Sequence, residues 1–111
     1  MVRITLFIAP GSHACEEARS TLVDIARDLD PALVLFSVCD VAVDPGLAEE
    51  HGIVWTPTLI VERRSKPRVT MVGSLGDQRT TLFRLNRAGV PLIRGVDPRL
   101  VRVAANRGTT A

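Results

Sequence analysis

Four short apolar runs divide the chain into segments that we expect to form β-strands. The first covers residues 3–8 (RITLFI), where β-branched and aromatic residues favour a buried strand. The second, residues 33–38, is apolar throughout rather than alternating, which predicts another buried strand. Residues 58–62 and 68–72 predict two more strands, and the five residues between them are few enough for a β-hairpin.

Three helices are predicted between and after these strands. A spacing of three to four residues predicts an amphipathic helix of about four turns. Its apolar positions are Ala14, Ala18, Leu22, Ile25 and Leu29. A second, short helix over about residues 45–51 is framed by a proline at its start and by Gly52 after its last turn. Asp77 can cap a third helix, which buries Leu82 and Leu85 and reaches about residue 87.

The order of these elements, strand-helix-strand-helix-strand-strand-helix, predicts an α/β fold. Strands joined through a helix run parallel, whereas strands joined by a hairpin run antiparallel. The result is a mixed four-stranded sheet with helices on both faces, which is the thioredoxin-like arrangement. We assign this domain to residues 1–88. Residues 89–111 are predicted to be an Arg-rich C-terminal extension with a short helix over residues 98–106, which Asp97 caps.

The composition fits one globular domain and argues against several other classes. The 111 residues are 46% apolar and 23% charged, an ordinary mixture for a folded chain. No apolar run approaches the roughly 20 residues that span a bilayer, and no cleavage site follows the first strand. We therefore expect a cytoplasmic protein with no membrane partner. Two cysteines and two histidines are too few for a disulfide framework or a metal site, and we expect no cofactor.

The net charge of +2 conceals a division along the chain. Residues 1–59 have three basic and nine acidic side chains (net −6), whereas residues 60–111 have eleven basic and three acidic ones (net +8). Such an asymmetry marks a surface for an oppositely charged partner, or reflects solvated arginines in an Arg-rich composition; we favour the second interpretation. The three phenylalanines fall in predicted core segments, so we expect no aromatic platform for nucleic acid.

The stretch APGSHACEEA, residues 9–18, lies where thiol–disulfide enzymes place a Cys-x-x-Cys pair. Here Ser12 holds the first position and Cys15 the second, which excludes a dithiol cycle within the motif. A helix N-terminus lowers the pKa of a thiol and would favour a reactive Cys15. The second thiol of such pairs normally points inward, however, and we favour a buried, structural Cys15. The sequence does not decide whether Cys15 forms a disulfide with Cys39.

The residues WTPT, 55–58, precede the third predicted strand. In the thioredoxin-like arrangement a proline at this place is usually cis, and an X-Pro bond has only a small trans preference. We therefore predict a cis peptide bond before Pro57, the alternative being a proline that begins an edge strand. Trp55 is the aromatic residue that we expect to be exposed as an anchor for a protein partner, unless it is half-buried against the first helix. We expect His51 at the surface.

Three segments resemble the KaiB family of circadian clock proteins, and the resemblance extends over roughly residues 3–87. LFIAPGSHACEEARSTL, residues 6–22, looks like the family's first strand and loop, followed by a helix without a redox cysteine pair. DPGLAEEHGIVWTPTLI, residues 44–60, is similar to the family's Pro-x-Leu-Ala-Glu-Glu and Thr-Pro-Thr-Leu patterns and needs no gap. KPRVTMVGSLGD, residues 66–77, resembles the family's hairpin and the turn that follows it. The matching positions there are Pro67, Arg68, Gly73, Leu75 and Asp77.

The resemblance implies a non-enzymatic regulatory protein that acts by binding. The family's partners are KaiC, a hexameric ATPase, or a histidine kinase, and one of the family's two folds is tetrameric, so a homo-oligomer is a further candidate. Trp55 and the basic hairpin are the candidate contacts, the hairpin residues being Arg63, Arg64, Lys66 and Arg68. The alternative is a thioredoxin- or glutaredoxin-like redox protein in which Cys15, beside Pro57, forms a mixed disulfide.

Overall fold

Strands and helices follow one another in the predicted order in a computed structural model that describes residues 1–73 and 75–93. The strands are β1 (Val2–Ile8), β2 (Val34–Asp40), β3 (Thr58–Arg63) and β4 (Val69–Val72). The helices are α1 (His13–Ile25), α2 (Pro45–Glu50) and α3 (Gln78–Arg87), and a 3₁₀ turn (Ala26–Asp28) continues α1. None of the helices in the described ranges is long and apolar enough to cross a bilayer.

The four strands form one mixed sheet in the order β2-β1-β3-β4. β1 is parallel to β2 and antiparallel to β3, and β3 is antiparallel to β4. β1 therefore has a neighbour on each side, and its Ile4 and Leu6 are fully buried. This topology confirms the thioredoxin-like α/β arrangement.

The helices cover the two faces of the sheet unequally. α1 and α3 lie on one face, where Leu22 and Leu82 pack with Leu59 and other strand residues in the larger core cluster. α2 lies on the other face, where Ala48 packs in a smaller cluster that contains Phe7. Because α2 has only six residues, it covers only part of its face.

The prediction that the second strand is buried is wrong for most of its residues. Val34 and Cys39 are buried in β2, but Leu35 is 51% exposed and Ser37 is exposed as well. β2 lies at an edge of the sheet, and the cluster around α2 includes Cys39 near the end of the strand but not Leu35 near its beginning. An apolar run predicts a strand, but it does not reveal how much of that strand another element covers.

α2 and α3 end in the same way. A glycine with positive φ follows each C-cap: Gly52 at +67° and Gly89 at +90°. At the end of α3 the Gly89 N–H donates to the Asn86 C=O at 3.0 Å, and the Val90 N–H donates to the Leu85 C=O at 3.1 Å. This pair of hydrogen bonds is a Schellman motif, which needs the left-handed backbone that glycine adopts without steric cost. The predicted stop at Gly52 is confirmed.

Residues 90–93 return to the turn that precedes β2. Val90 is buried in the larger core cluster, and Leu92 forms an isolated β-bridge with Leu29. The Ile93 N–H donates to the Asp28 C=O at 2.9 Å. The helix predicted over residues 98–106 lies outside the described residues, so the division of the chain at residue 88 stays a prediction.

Candidate functional site

The start of α1 shows what Ser12 does at the first position of the altered Cys-x-x-Cys pair. β1 leads through a turn, in which Gly11 has a φ of +77°, to Ser12 in an extended conformation. The Ser12 Oγ accepts a hydrogen bond from the Cys15 N–H at 3.3 Å, so Ser12 is the N-cap of α1. This role of Ser12 was not predicted from the sequence, although serine is among the preferred N-cap residues.

Cys15 lies behind this cap and is fully buried in the larger core cluster. The Ala9 N–H donates to its Sγ at 3.4 Å. Burial raises the pKa of the Cys15 thiol, but this hydrogen bond and the hydroxyls of Ser12 and Thr56 lower the pKa by more, so the net shift is downward. The lowered pKa thus belongs to a sulfur that solvent does not reach, whereas a reactive cysteine needs access as well.

Cys39 lies on the other face of the sheet, in the smaller cluster around α2. Its thiol donates to the Asp44 C=O at 3.8 Å. Burial raises the pKa of the Cys39 thiol, and the carboxylates of Asp44 and Asp40 raise it further. Both cysteines are free thiols. Because the sheet separates them, the Cys15–Cys39 disulfide does not form in this fold.

The segment before β3 has the predicted cis peptide bond between Thr56 and Pro57. Thr56 reaches the start of α1, since its hydroxyl is one of the groups that lower the pKa of Cys15. The Thr58 hydroxyl donates to the Trp55 C=O at 2.6 Å and holds the turn closed. Trp55 is 69% exposed, which confirms its predicted exposure and excludes a position half-buried against α1. Its role as an anchor for a partner stays a prediction.

A pocket of about 250 Å³ lies beside Trp55 on the face of the sheet that α2 partly covers. Its walls include His51, Arg68, Thr70 and Val72, and we call it the Trp55 pocket. The Arg68 Nη1 donates to the His51 C=O at 3.2 Å, which holds the guanidinium at the pocket wall. The pocket thus combines an exposed indole, a cation and apolar side chains, a set suited to receiving a protein side chain.

His51 is half-buried, in contrast to the surface position that we expected. Its Nδ1 is 3.0 Å from the Leu47 C=O, a group that can only accept, so Nδ1 carries the proton. Its Nε2 is 3.7 Å from Glu62 Oε1, and its ring centroid is 5.4 Å from that of Phe7. His51 therefore connects α2 to β3 and β1, and this role could not be read from its place at the end of a helix.

The basic hairpin does not form one uniform surface. Arg64, Lys66 and Arg68 are exposed, and Ser65 has a φ of +61° at the tip. Arg63 is half-buried, and its guanidinium lies against Gly89 beyond the end of α3. The structure therefore brings Arg68 together with Trp55 in one pocket and directs Arg63 elsewhere.

Few side chains in the described parts of the chain could perform chemistry at this site. His13 is exposed and pairs with Glu17 one turn along α1, with 3.1 Å between Nε2 and Oε2. Within residues 1–73 and 75–93, no three His, Cys, Asp or Glu side chains are grouped so that they could hold a metal ion. Within the described residues, the site consists of a pocket and an exposed indole next to a capped helix.

A sequence profile described as the KaiB domain matches residues 5–86, which is most of the chain. The chain belongs to the KaiB family. The match covers the KaiB-type segments quoted above, from the capped α1 through the cis-Pro57 turn to α3. No curated protein sequence matches this KaiB-family chain.

Solved structures similar to this KaiB-family chain include several thioredoxins. Chloroplastic thioredoxin z is 21% identical with a TM-score of 0.68, covering 80% of this chain and 79% of its own. The germline-specific thioredoxin Deadhead of Drosophila melanogaster is 20% identical with a TM-score of 0.65, and the match covers 78% of this chain and 79% of Deadhead. The thioredoxin of Malassezia sympodialis is 24% identical with a TM-score of 0.64, and the match covers 78% of this chain and 73% of that thioredoxin. At these identities the likeness shows the fold alone.

Proposed function

We propose that this protein is a non-enzymatic regulator that binds a partner ATPase of the KaiC type, or a histidine kinase, through protein contacts in the cytoplasm. The observation that carries the proposal is the KaiB domain match over residues 5–86, which spans nearly the whole described fold. Ser12 as a helix cap and a buried Cys15 agree with a scaffold that no longer performs thiol exchange.

The exposed residues around the β3–β4 hairpin are the proposed contact surface. Trp55 offers a large apolar side chain, and Arg64, Lys66 and Arg68 offer cations within the basic half of the chain. Tryptophan and arginine are the residues most enriched at binding hot spots. Arg63 is half-buried and contributes less to this surface, because its side chain lies against Gly89.

Binding to a purified KaiC-type hexamer, measured by size-exclusion chromatography and by fluorescence anisotropy of the labelled chain, tests the proposal. Reversing the charge of both Arg64 and Lys66 to Glu should weaken binding about tenfold or more, since exposed ion pairs contribute up to about 1 kcal/mol each. Arg19→Glu is the matched control, because Arg19 is equally exposed but lies on α1, away from the hairpin.

The thioredoxin- or glutaredoxin-like alternative is supported by one observation, the lowered pKa of the Cys15 thiol. Cys15→Ala separates the two functions. It should leave binding to the hexamer within about twofold of the parent protein, because a buried thiol behaves as a small hydrophobic side chain. Loss of activity on Cys15→Ala, with no effect of the hairpin reversal, would instead support the redox function.

A further inference from the structure

The outer side of β4 has unpaired backbone groups in the described part of the chain. β4 is the last strand of the sheet, and β3 pairs with only one of its sides. The Gly73 N–H donates to the Pro57 C=O at 3.3 Å. In an antiparallel ladder, the residues that bond to the neighbouring strand alternate along the chain. Val69 and Met71 therefore bond to β3, whereas Thr70 and Val72 direct their N–H and C=O groups outward.

A depression lies on each side of this open edge. On one face is the Trp55 pocket, which Thr70 and Val72 line. On the other face a groove of about 490 Å³ lies between β4 and α3, lined by Val69, Met71, Phe83, Arg84 and Arg87. An added strand would direct successive side chains alternately into these two depressions, because side chains alternate across a strand.

Exposed apolar and cationic groups flank the edge on both faces. Val72 is 51% exposed and Phe83 is 38% exposed, in contrast to the prediction that the phenylalanines are core residues. Arg68 lines the Trp55 pocket, and Arg84 and Arg87 line the groove, where Arg87 lies 6.0 Å from the centre of the Phe83 ring. The potential along this edge therefore favours an occupant with acidic side chains.

We propose that β4 binds an extended acidic segment of a partner protein, which adds to the sheet as a fifth strand. The inference rests on the proposed binding function and adds the chemistry of the partner: acidic and apolar side chains on both faces of an extended peptide. Thr70 and Val72 supply the main-chain hydrogen bonds, and the arginines on each face select the acidic side chains.

Two other occupants fit the edge less well. Residues 94–111 of the chain itself have four arginines and one aspartate, so their charge has the same sign as the edge. A second copy pairing through its own β4 would bring like-charged arginines together. A second copy pairing through β2 has Phe36 and Val38 packed against its own core, and its exposed β2 side chains, Leu35 and Ser37, are not acidic.

The test uses the full chain labelled with ¹⁵N and a blocked peptide, Thr-Glu-Glu-Val-Val-Glu-Glu-Thr, which has Glu and Val on both faces of a strand. On titration, the amide signals of Thr70 and Val72 should shift and gain protection from exchange, whereas those of Val69 and Met71, already bonded to β3, should change less. The fluorescence of Trp55, the single tryptophan of the chain, reports the same titration.

Matched peptides and variants make the result specific. A peptide with Lys in place of Glu, and the double variant Arg84→Glu with Arg87→Glu, should each weaken binding about tenfold or more. Arg79→Glu, at the other end of α3, should leave binding of the acidic peptide unchanged. Thr70→Pro removes an outward N–H but no hydrogen bond to β3, and it should abolish binding of the peptide. Thr70→Ala keeps the N–H and should bind the peptide within about twofold of the parent protein.

Three results would overturn the inference: no shift at Thr70 and Val72, shifts confined to β2, or a concentration-dependent dimer without peptide that involves these amides. Each leaves the proposed function intact if the KaiC-type hexamer still binds the parent chain. If the hexamer fails to bind while the peptide shifts the amide signals of Thr70 and Val72, the acidic-strand site is supported and the assignment of the partner is wrong.

Discussion

The Ser12 Oγ accepts a hydrogen bond from the Cys15 N–H at 3.3 Å, so Ser12 caps the helix whose first turn contains Cys15. The oxygen satisfies a backbone donor that would otherwise lack a partner at the start of α1. At the place where thiol–disulfide enzymes have their first cysteine, this chain thus has a residue that stabilises the helix start, and Cys15 at the second position belongs to the core.

Removing this cap should destabilise the fold. Ser12→Ala should lower the free energy of unfolding by about 1 kcal/mol, the usual effect of losing an N-cap side chain. Urea denaturation followed by circular dichroism measures the change. Ser20→Ala, at an exposed position within α1, is the control and should be neutral or slightly stabilising, because alanine has the highest helix propensity. Equal effects of the two substitutions would argue against the capping role.

Cys15 should react slowly with iodoacetamide in the native protein between pH 6 and 9, despite the lowered pKa of its thiol. The reason is burial, because the reagent cannot reach the sulfur until the chain opens. The variant Cys39→Ser leaves one thiol to report and keeps a donor to the Asp44 C=O. Denaturant should restore a fast reaction. Rapid alkylation of the native protein, with an apparent pKa below the usual value of about 8.5, would contradict a purely structural Cys15.

Asp77, the N-cap of α3, should make stability depend on pH in the acidic range. The Thr80 hydroxyl and the N–H groups of Thr80 and Arg79 hold the pKa of the Asp77 carboxyl below its usual value. Because the folded pKa is lower than the unfolded value of about 3.9, this contribution is present above pH 4 and is lost as the pH falls through the folded pKa.

Asp77→Ala should therefore cost about 1 kcal/mol at pH 7, and the difference from the parent protein should narrow on acidification. Thermal unfolding from pH 7 to pH 3 provides the measurement. Asp77→Asn is the control, because asparagine caps about as well as aspartate but does not titrate. A gap between the parent and Asp77→Ala that stays constant down to pH 3 would show that the carboxylate charge contributes nothing.

The two glycines that end α2 and α3 should respond differently to alanine. Both have positive φ, so each substitution should cost about 1–2 kcal/mol of backbone strain. Added side-chain bulk meets nothing within 4 Å at Gly52, but it meets the Arg63 guanidinium at Gly89. Gly89→Ala should therefore lower the free energy of unfolding more than Gly52→Ala, as measured by urea denaturation. The double variant Gly89→Ala with Arg63→Ala should recover the excess, and its failure to do so would exclude the contact as the cause.

The order of elements could be predicted because local patterns determine it, and the cis bond before Pro57 could be predicted from the fold that this order indicates. Helical spacing, capping residues and the hairpin length all indicate the same topology. The exposure of Leu35 and Phe83 could not be predicted in this way. Both residues stand in apolar runs, and their exposure depends on which strand lies at an edge and on how short α2 is.

The site was predictable only in part for the same reason. Trp55 could be expected at the surface from its place before Pro57, and it is. The division of the basic hairpin, with Arg68 at the Trp55 pocket and Arg63 against Gly89, depends on tertiary contacts between segments far apart in sequence. The contact roles assigned to these residues stay predictions.

The central position of β1 has a consequence for the chain during its synthesis. Ile4 pairs with Phe36 of β2 and with Val61 of β3, so one of its neighbours is translated much later than the other. At about 5–20 residues per second, a ribosome needs about 3 to 11 s to make the chain between Ile4 and Val61. During that interval the strand that becomes the most buried of the four has an open edge, which is the condition under which nascent chains aggregate or recruit chaperones. The vulnerable state of this protein is therefore the unfinished chain, and codons between β2 and β3 set how long it lasts.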